Sequence, residues 1–90
     1  MTGVIGVKFK LMPSSVETNL KEIEKKAKKI IESENGRRLE ITEEPIAFGL
    51  KSVNLFFQFD EEGDLNTLEE SLKNIKNIQS VEITDMRKIA

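Results

Sequence analysis

Val53-Asn54-Leu55-Phe56-Phe57-Gln58-Phe59 is the stretch whose reading decides the fold. Successive side chains of an extended chain point to opposite faces, so Val53, Leu55, Phe57 and Phe59 share one side and Asn54, Phe56 and Gln58 the other. The first set is wholly apolar and suits a pleated, buried surface. It predicts a strand near the centre of a sheet, with Phe56 the one aromatic out of phase with the core set.

Working outward, residues 4–12 repeat the alternation, with Ile5, Val7, Phe9 and Leu11 set against Gly6, Lys8 and Lys10, and Pro13-Ser14-Ser15 ends that strand. Residues 19–32 carry Leu20, Ile23, Ala27, Ile30 and Ile31 at helical spacing, and Asn19 with Glu22 has the spacing of a capping box. On the outer face of this helix, Glu22 with Lys26 and Glu24 with Lys28 are predicted to pair four residues apart. Asn35-Gly36 turns the chain into a second strand over residues 38–43, short and polar enough for a sheet edge. Beyond the central strand, residues 60–64 form a turn. Leu65, Leu68, Leu72 and Ile75 then mark a second helix with Asp64 as its N-cap and a Glu69–Lys73 pair across one turn. Val81 and Ile83 belong to a last strand over residues 79–86.

The order β-α-β-β-α-β predicts an α+β, ferredoxin-like split βαβ sandwich, a four-stranded antiparallel sheet with two helices on one face. Ninety residues support one core, so residues 1–90 are expected to form a single domain. The fold hosts many activities, and function has to come from sites.

Composition removes several classes of chemistry. With no cysteine and no histidine, disulfides, thiol nucleophiles, Cys/His zinc sites and histidine acid–base catalysis are excluded. Fourteen basic and sixteen acidic residues give a net charge of −2, which supplies no broad field for phosphate backbones, so direct nucleic-acid binding is not expected. Lys8 and Lys10 interrupt the start of the chain where a signal peptide needs an unbroken apolar stretch, and no segment has the length of a membrane span. A cytoplasmic protein without membrane contact is the expectation.

Three places remain where chemistry or recognition could sit. Asp60-Glu61-Glu62-Gly63-Asp64 gathers four carboxylates in five residues but lacks the alternating ligand spacing and distant glutamate of a calcium loop. It reads as a solvated turn whose acids complement the positive end of the following helix, and no metal is expected there. Pro45-Ile46-Ala47-Phe48-Gly49-Leu50 is apolar where a strand connection is normally polar. Either Phe48 folds back onto the core, or it stands out as an aromatic anchor for a partner's pocket. The tail Met86-Arg87-Lys88-Ile89-Ala90 ends on two cations, of which a lysine offers a compact ammonium on a long stem able to reach a phosphate or metal pocket on another protein.

Taken together, Glu17-Thr18-Asn19-Leu20 entering the first helix, Pro45-Ile46-Ala47-Phe48-Gly49-Leu50-Lys51 before the central strand, and Gln79-Ser80-Val81-Glu82-Ile83 running on to Lys88 resemble the guanine-nucleotide exchange domain of elongation factor 1-beta, whose archaeal form is similar in length. The resemblance spans nearly the whole chain. It implies a protein that promotes release of GDP from the elongation factor 1-alpha GTPase, needs no cofactor of its own and makes or breaks no covalent bond. By motif position it implies that Lys88 acts on the nucleotide site and that Phe48 anchors the opposite end of the contact, with Ile46, Gly49 and Arg87 as further partner-binding residues. The chain departs from eukaryotic members in having only Met12-Pro13-Ser14-Ser15-Val16 where they carry a tryptophan-bearing acidic segment. Asp85 is a further departure, placed to pair with Arg87 or Lys88.

Two other readings of the same fold are open at this point. A small-molecule-binding regulatory module calls for a glycine-bearing turn after the first strand, where this chain has Pro13-Ser14-Ser15. An RNA-recognition domain calls for stacked aromatics on the first and third strands and a basic sheet face, and Phe56 stands alone there.

Overall fold

The computed structural model describes residues 3–89. The elements run β1 (Val4–Pro13), α1 (Leu20–Ser33), β2 (Arg37–Pro45), a tight turn (Ala47–Gly49), β3 (Lys51–Asp60), α2 (Leu65–Lys73) and β4 (Ile78–Lys88). The strands form one antiparallel-paired sheet in the order β2-β3-β1-β4, the ferredoxin-like arrangement. β3 is an inner strand and β2 an edge, as their apolar and polar patterns require.

The core lies on one face of the sheet. Ile5, Val7, Phe9 and Leu11 of β1 and Val53, Leu55, Phe57 and Phe59 of β3 cluster with Ile23, Ala27 and Ile31 of α1, Leu68 and Leu72 of α2, and Ile75. Phe9 stacks on Phe57 with ring centroids 5.8 Å apart, and Phe57 meets Phe59 edge-on at 6.1 Å. Burying each of these rings contributes about 2–3 kcal/mol, which makes this file of phenylalanines the spine of the domain.

Both helices start where a side chain satisfies their free amides. Asn19 Oδ1 accepts from the N–H groups of Lys21 and Glu22, and Asp64 Oδ1 accepts from the Thr67 N–H at 3.1 Å. Bonds to Thr67 hold the Asp64 carboxyl below its ordinary range. α1 ends with Asn35 at φ 67° while Gly36 N–H returns to Ile31 O at 2.8 Å. A Cβ on Gly36 would stand 2.3 Å from Ile31 Cγ2, so the turn needs glycine for close approach.

The strand lengths and the helix ion pairs are corrected in detail. β2 and β4 are longer than their apolar patterns suggest, because backbone pairing to β3 and β1 continues past the last core-facing side chain. The ion pairs on α1 are not Glu22–Lys26 and Glu24–Lys28: Lys21 Nζ lies 3.8 Å from both Glu24 and Glu43, because Glu24 faces the β2 edge. The Glu69–Lys73 pair does form, at 3.5 Å.

One irregularity matters for function. Between β1 and β4 the register shifts after Lys8: Phe9 pairs with Ile83 but Lys8 pairs with Asp85, leaving Thr84 as an extra residue whose hydroxyl donates to Lys8 O at 3.3 Å. A one-residue insertion exchanges the two faces for every residue after it. Met86 and Lys88 therefore share the helix side with Val7 and Ile5, while Asp85 and Arg87 lie over Lys8 and Gly6 on the open side.

Candidate functional site

The β2–β3 hairpin is closed by Ile46 N–H to Leu50 O at 2.8 Å and Leu50 N–H to Ala47 O at 3.2 Å. Phe48 has φ 61° and ψ 30°, and Gly49 has φ 75°. Positive φ at two consecutive turn residues matches the right-handed twist of the flanking strands, and glycine takes it freely. A phenylalanine in the left-handed region costs about 1 kcal/mol or more, so the turn holds its ring under local strain.

That ring is 94% exposed, which answers the alternative left open by the sequence: Phe48 projects from the tip and does not return to the core. Val16, on the loop after β1, is 61% exposed at the same end, with its Cγ1 3.7 Å from where a Cβ on Gly49 would sit. Ile46 is partly covered. Val16 was missed from sequence because a lone valine between Ser15 and Glu17 carries no periodic signal. The fold brings it beside Gly49, the residue that follows Phe48 in the turn.

The second cluster lies at the far end of the sheet. Lys88 pairs with Ile5 at the start of β1, and its Nζ lies 3.7 Å from Glu61 Oε2 in the turn between β3 and α2. Arg87 Nε donates to Asp85 Oδ2 at 3.0 Å, so of its two candidate partners Asp85 takes Arg87. The acids of the 60–64 turn go separate ways: Asp60 to Arg37 at 3.0 Å, Glu61 to Lys88 and Asp64 to the α2 cap. The sequence reading took Glu61 as one acid of a solvated turn, and its pairing was not foreseen because it depends on a cation 27 residues away.

The two clusters are not one pocket. Ile5 and Leu11 are six positions apart on β1, and Val53, the partner of Leu11, is five positions past Phe48. At about 3.3 Å per residue the ring and the ammonium stand on the order of 35 Å apart, in a molecule whose longest extent is 45 Å. The apolar-cored sheet lies between them, so the pair cannot converge on one small molecule.

A further carboxyl pair sits beside α1. The Glu24 side chain is 16% exposed and its Oε2 makes no hydrogen bond. Burial, then the neighbouring Glu43 carboxyl, push Glu24 up from its ordinary value, while sharing that proton holds Glu43 down. Lys21 and Lys51 lie close enough to favour the ionised form of Glu43. The pair joins helix to edge strand and lies apart from both exposed clusters.

The described residues thus form an α+β sandwich with an exposed aromatic on a left-handed turn at one end and a cation paired to Glu61 at the other, a fold that by itself fixes no activity. Residues 6–89 match the EF-1 guanine nucleotide exchange domain, and the chain belongs to that family. It is 38% identical over 89 residues to Elongation factor 1-beta of Methanosarcina barkeri, covering 97% of this chain and 99% of that protein. Elongation factor 1-beta of Methanosphaera stadtmanae is 40% identical over 90% of this chain and 91% of its own length. For Elongation factor 1-beta of Methanococcus aeolicus the identity is 38%, over 93% and 96%. These relatives are archaeal, and membership of the family supports a role in translation elongation. No helix among the described residues is long and apolar enough to cross a membrane.

Proposed function

We propose that this chain, as a single exchange domain, promotes replacement of GDP by GTP on elongation factor 1-alpha by gripping the GTPase at two separated points. The observation that carries the reading is the 94% exposure of Phe48 on a turn strained to display it. A large exposed ring of this kind is the side chain that anchors protein interfaces by filling a partner's apolar pocket.

Lys88 supplies the disruptive element. GDP is held in GTPases by donors around its phosphates and by a magnesium ion bridging them to the protein. An ammonium entering that neighbourhood competes with the ion, while the Phe48 contact, flanked by Ile46 and Gly49, stabilises the GTPase conformation that holds nucleotide poorly. Arg87 adds charge on the other face of β4. Exchange factor and nucleotide weaken each other reciprocally, so release is accelerated without a change in which nucleotide is finally favoured. Excess GTP gives direction. No bond is made or broken, no cofactor of its own takes part, and neither nucleic acid nor membrane is touched directly. The site of action is the cytoplasm.

The test follows fluorescent GDP leaving purified archaeal elongation factor 1-alpha. Wild type accelerates release strongly. Lys88→Ala lowers the maximal rate by about 30-fold or more, the scale of removing one partner of a desolvated charge contact. Phe48→Ala raises the half-saturating concentration by a similar factor, the scale of an aromatic anchor. Both variants keep the wild-type circular dichroism spectrum and melting temperature. Normal exchange by both variants overturns the residue assignment, and an inert wild type overturns the function.

A further inference from the structure

The last described residue, Ile89, is aimed by the sheet in a way that bears on Lys88. Its N–H donates to Val4 O at 2.7 Å, so the ladder between β1 and the tail runs on past Lys88. Its side chain then lies on the open face over Gly6: a Cβ built there would stand 2.9 Å from Ile89 Cδ1, 3.5 Å from Ile89 Cγ1 and 3.4 Å from Phe56 Cζ. Gly6 leaves a vacancy in the β1 row over which the side chains of an isoleucine and a phenylalanine converge. This also gives a place to Phe56, the aromatic out of phase with the core and 39% exposed.

Alternation does the rest. With Ile89 seated on the open face, the preceding residue must point to the opposite face, and there Lys88 stands beside Ile5 and reaches toward Glu61. The Thr84 bulge sets this parity, and the Ile89 seat keeps the end of the strand from slipping or fraying out of it. We propose that Ile89, seated between Gly6 and Phe56, is a positioning residue that fixes the face and direction from which Lys88 is presented to the partner. The structural half stands alone; the functional half rests on the exchange reading above.

The experiment has two arms. In the free protein, NMR detects a nuclear Overhauser contact between the Ile89 δ-methyl and the Phe56 ring, and the Lys88 amide has the relaxation of ordered strand. Ile89→Ala abolishes that order while the rest of the sheet and the melting temperature are unchanged, as expected for a side chain 50% exposed. In the exchange assay Ile89→Ala lowers the maximal GDP release rate about tenfold or more, since small misplacement of an acting group is costly, with the half-saturating concentration little changed. Ile89→Leu retains wild-type behaviour. Absence of the Ile89–Phe56 contact, or an Ile89→Ala variant that frays Lys88 yet exchanges at the wild-type rate, overturns the proposal. A wild type inert in exchange overturns the function reading instead, and leaves the first arm to decide whether Ile89 orders Lys88.

Discussion

Lys88 Nζ and Glu61 Oε2 lie 3.7 Å apart, joining the end of β4 to the turn between β3 and α2. Their side chains are 67% and 44% exposed, so the pair contributes at most about 1 kcal/mol and is screened by salt. Its consequence is local: Glu61 holds the ammonium near the domain's own surface.

Glu61→Gln is therefore expected to leave stability unchanged and to speed GDP release by up to about fivefold at low salt, the rate equivalent of losing a contact of that size. The advantage shrinks at high salt, where wild-type Lys88 is already less restrained. Release rates at low and high ionic strength check this, and a slower Glu61→Gln variant would show that Glu61 helps the encounter.

Phe48→Gly separates strain from recognition. Glycine adopts the φ of 61° without steric cost, and no buried area is lost because the ring is 94% exposed. Stability in urea is expected to stay level or rise by up to about 1 kcal/mol. Half-saturation in the exchange assay is expected to worsen by about 30-fold, the size of a lost aromatic anchor. A marked fall in stability would mean that the ring supports the fold.

The Glu24–Glu43 pair gives a pH signature with opposed parts. Glu24 is raised in the folded state, so its contribution is complete below the ordinary value of 4.5 and is lost as pH climbs through the folded value. Glu43 is lowered, so its contribution is present above 4.5 and is lost as pH falls through its own folded value. Glu24→Gln removes the first titration while an amide can still donate to Glu43. Its urea midpoint is expected to gain on wild type between pH 4.5 and pH 7, with no change in exchange at neutral pH. Parallel wild-type and variant curves over that range would show that Glu24 ionises as it does in the unfolded chain.

The chemistry-bearing residues were legible to different degrees. Phe48 stood out because an apolar hairpin connection contradicts its surroundings, yet spacing left two fates for its ring, and only its exposed placement at the tip of the hairpin chose between them. Lys88 had no local signal and was picked out through the resemblance of the tail. The neighbours of Val16 and Glu61 were not foreseen, since each acquires its place from residues far along the chain. The α1 ion pairs failed for a similar reason: on an isolated helix Glu24 faces Lys28, whereas the β2 edge draws it toward Lys21 and Glu43.

Period-two and helical apolar spacing, two side-chain caps and the Asn35-Gly36 turn settled by sequence alone that this chain is a split βαβ sandwich with β3 inside it, because burial of those apolar faces has one low-energy arrangement. The face on which Lys88 stands was decided only in three dimensions. Plain alternation from Val81 and Ile83 would place Arg87 on the helix side. The extra residue at Thr84 reverses that parity, and Ile89 over Gly6 locks it. A bulge exists only relative to the strand it pairs with, and no pattern within β4 encodes where β1 will be.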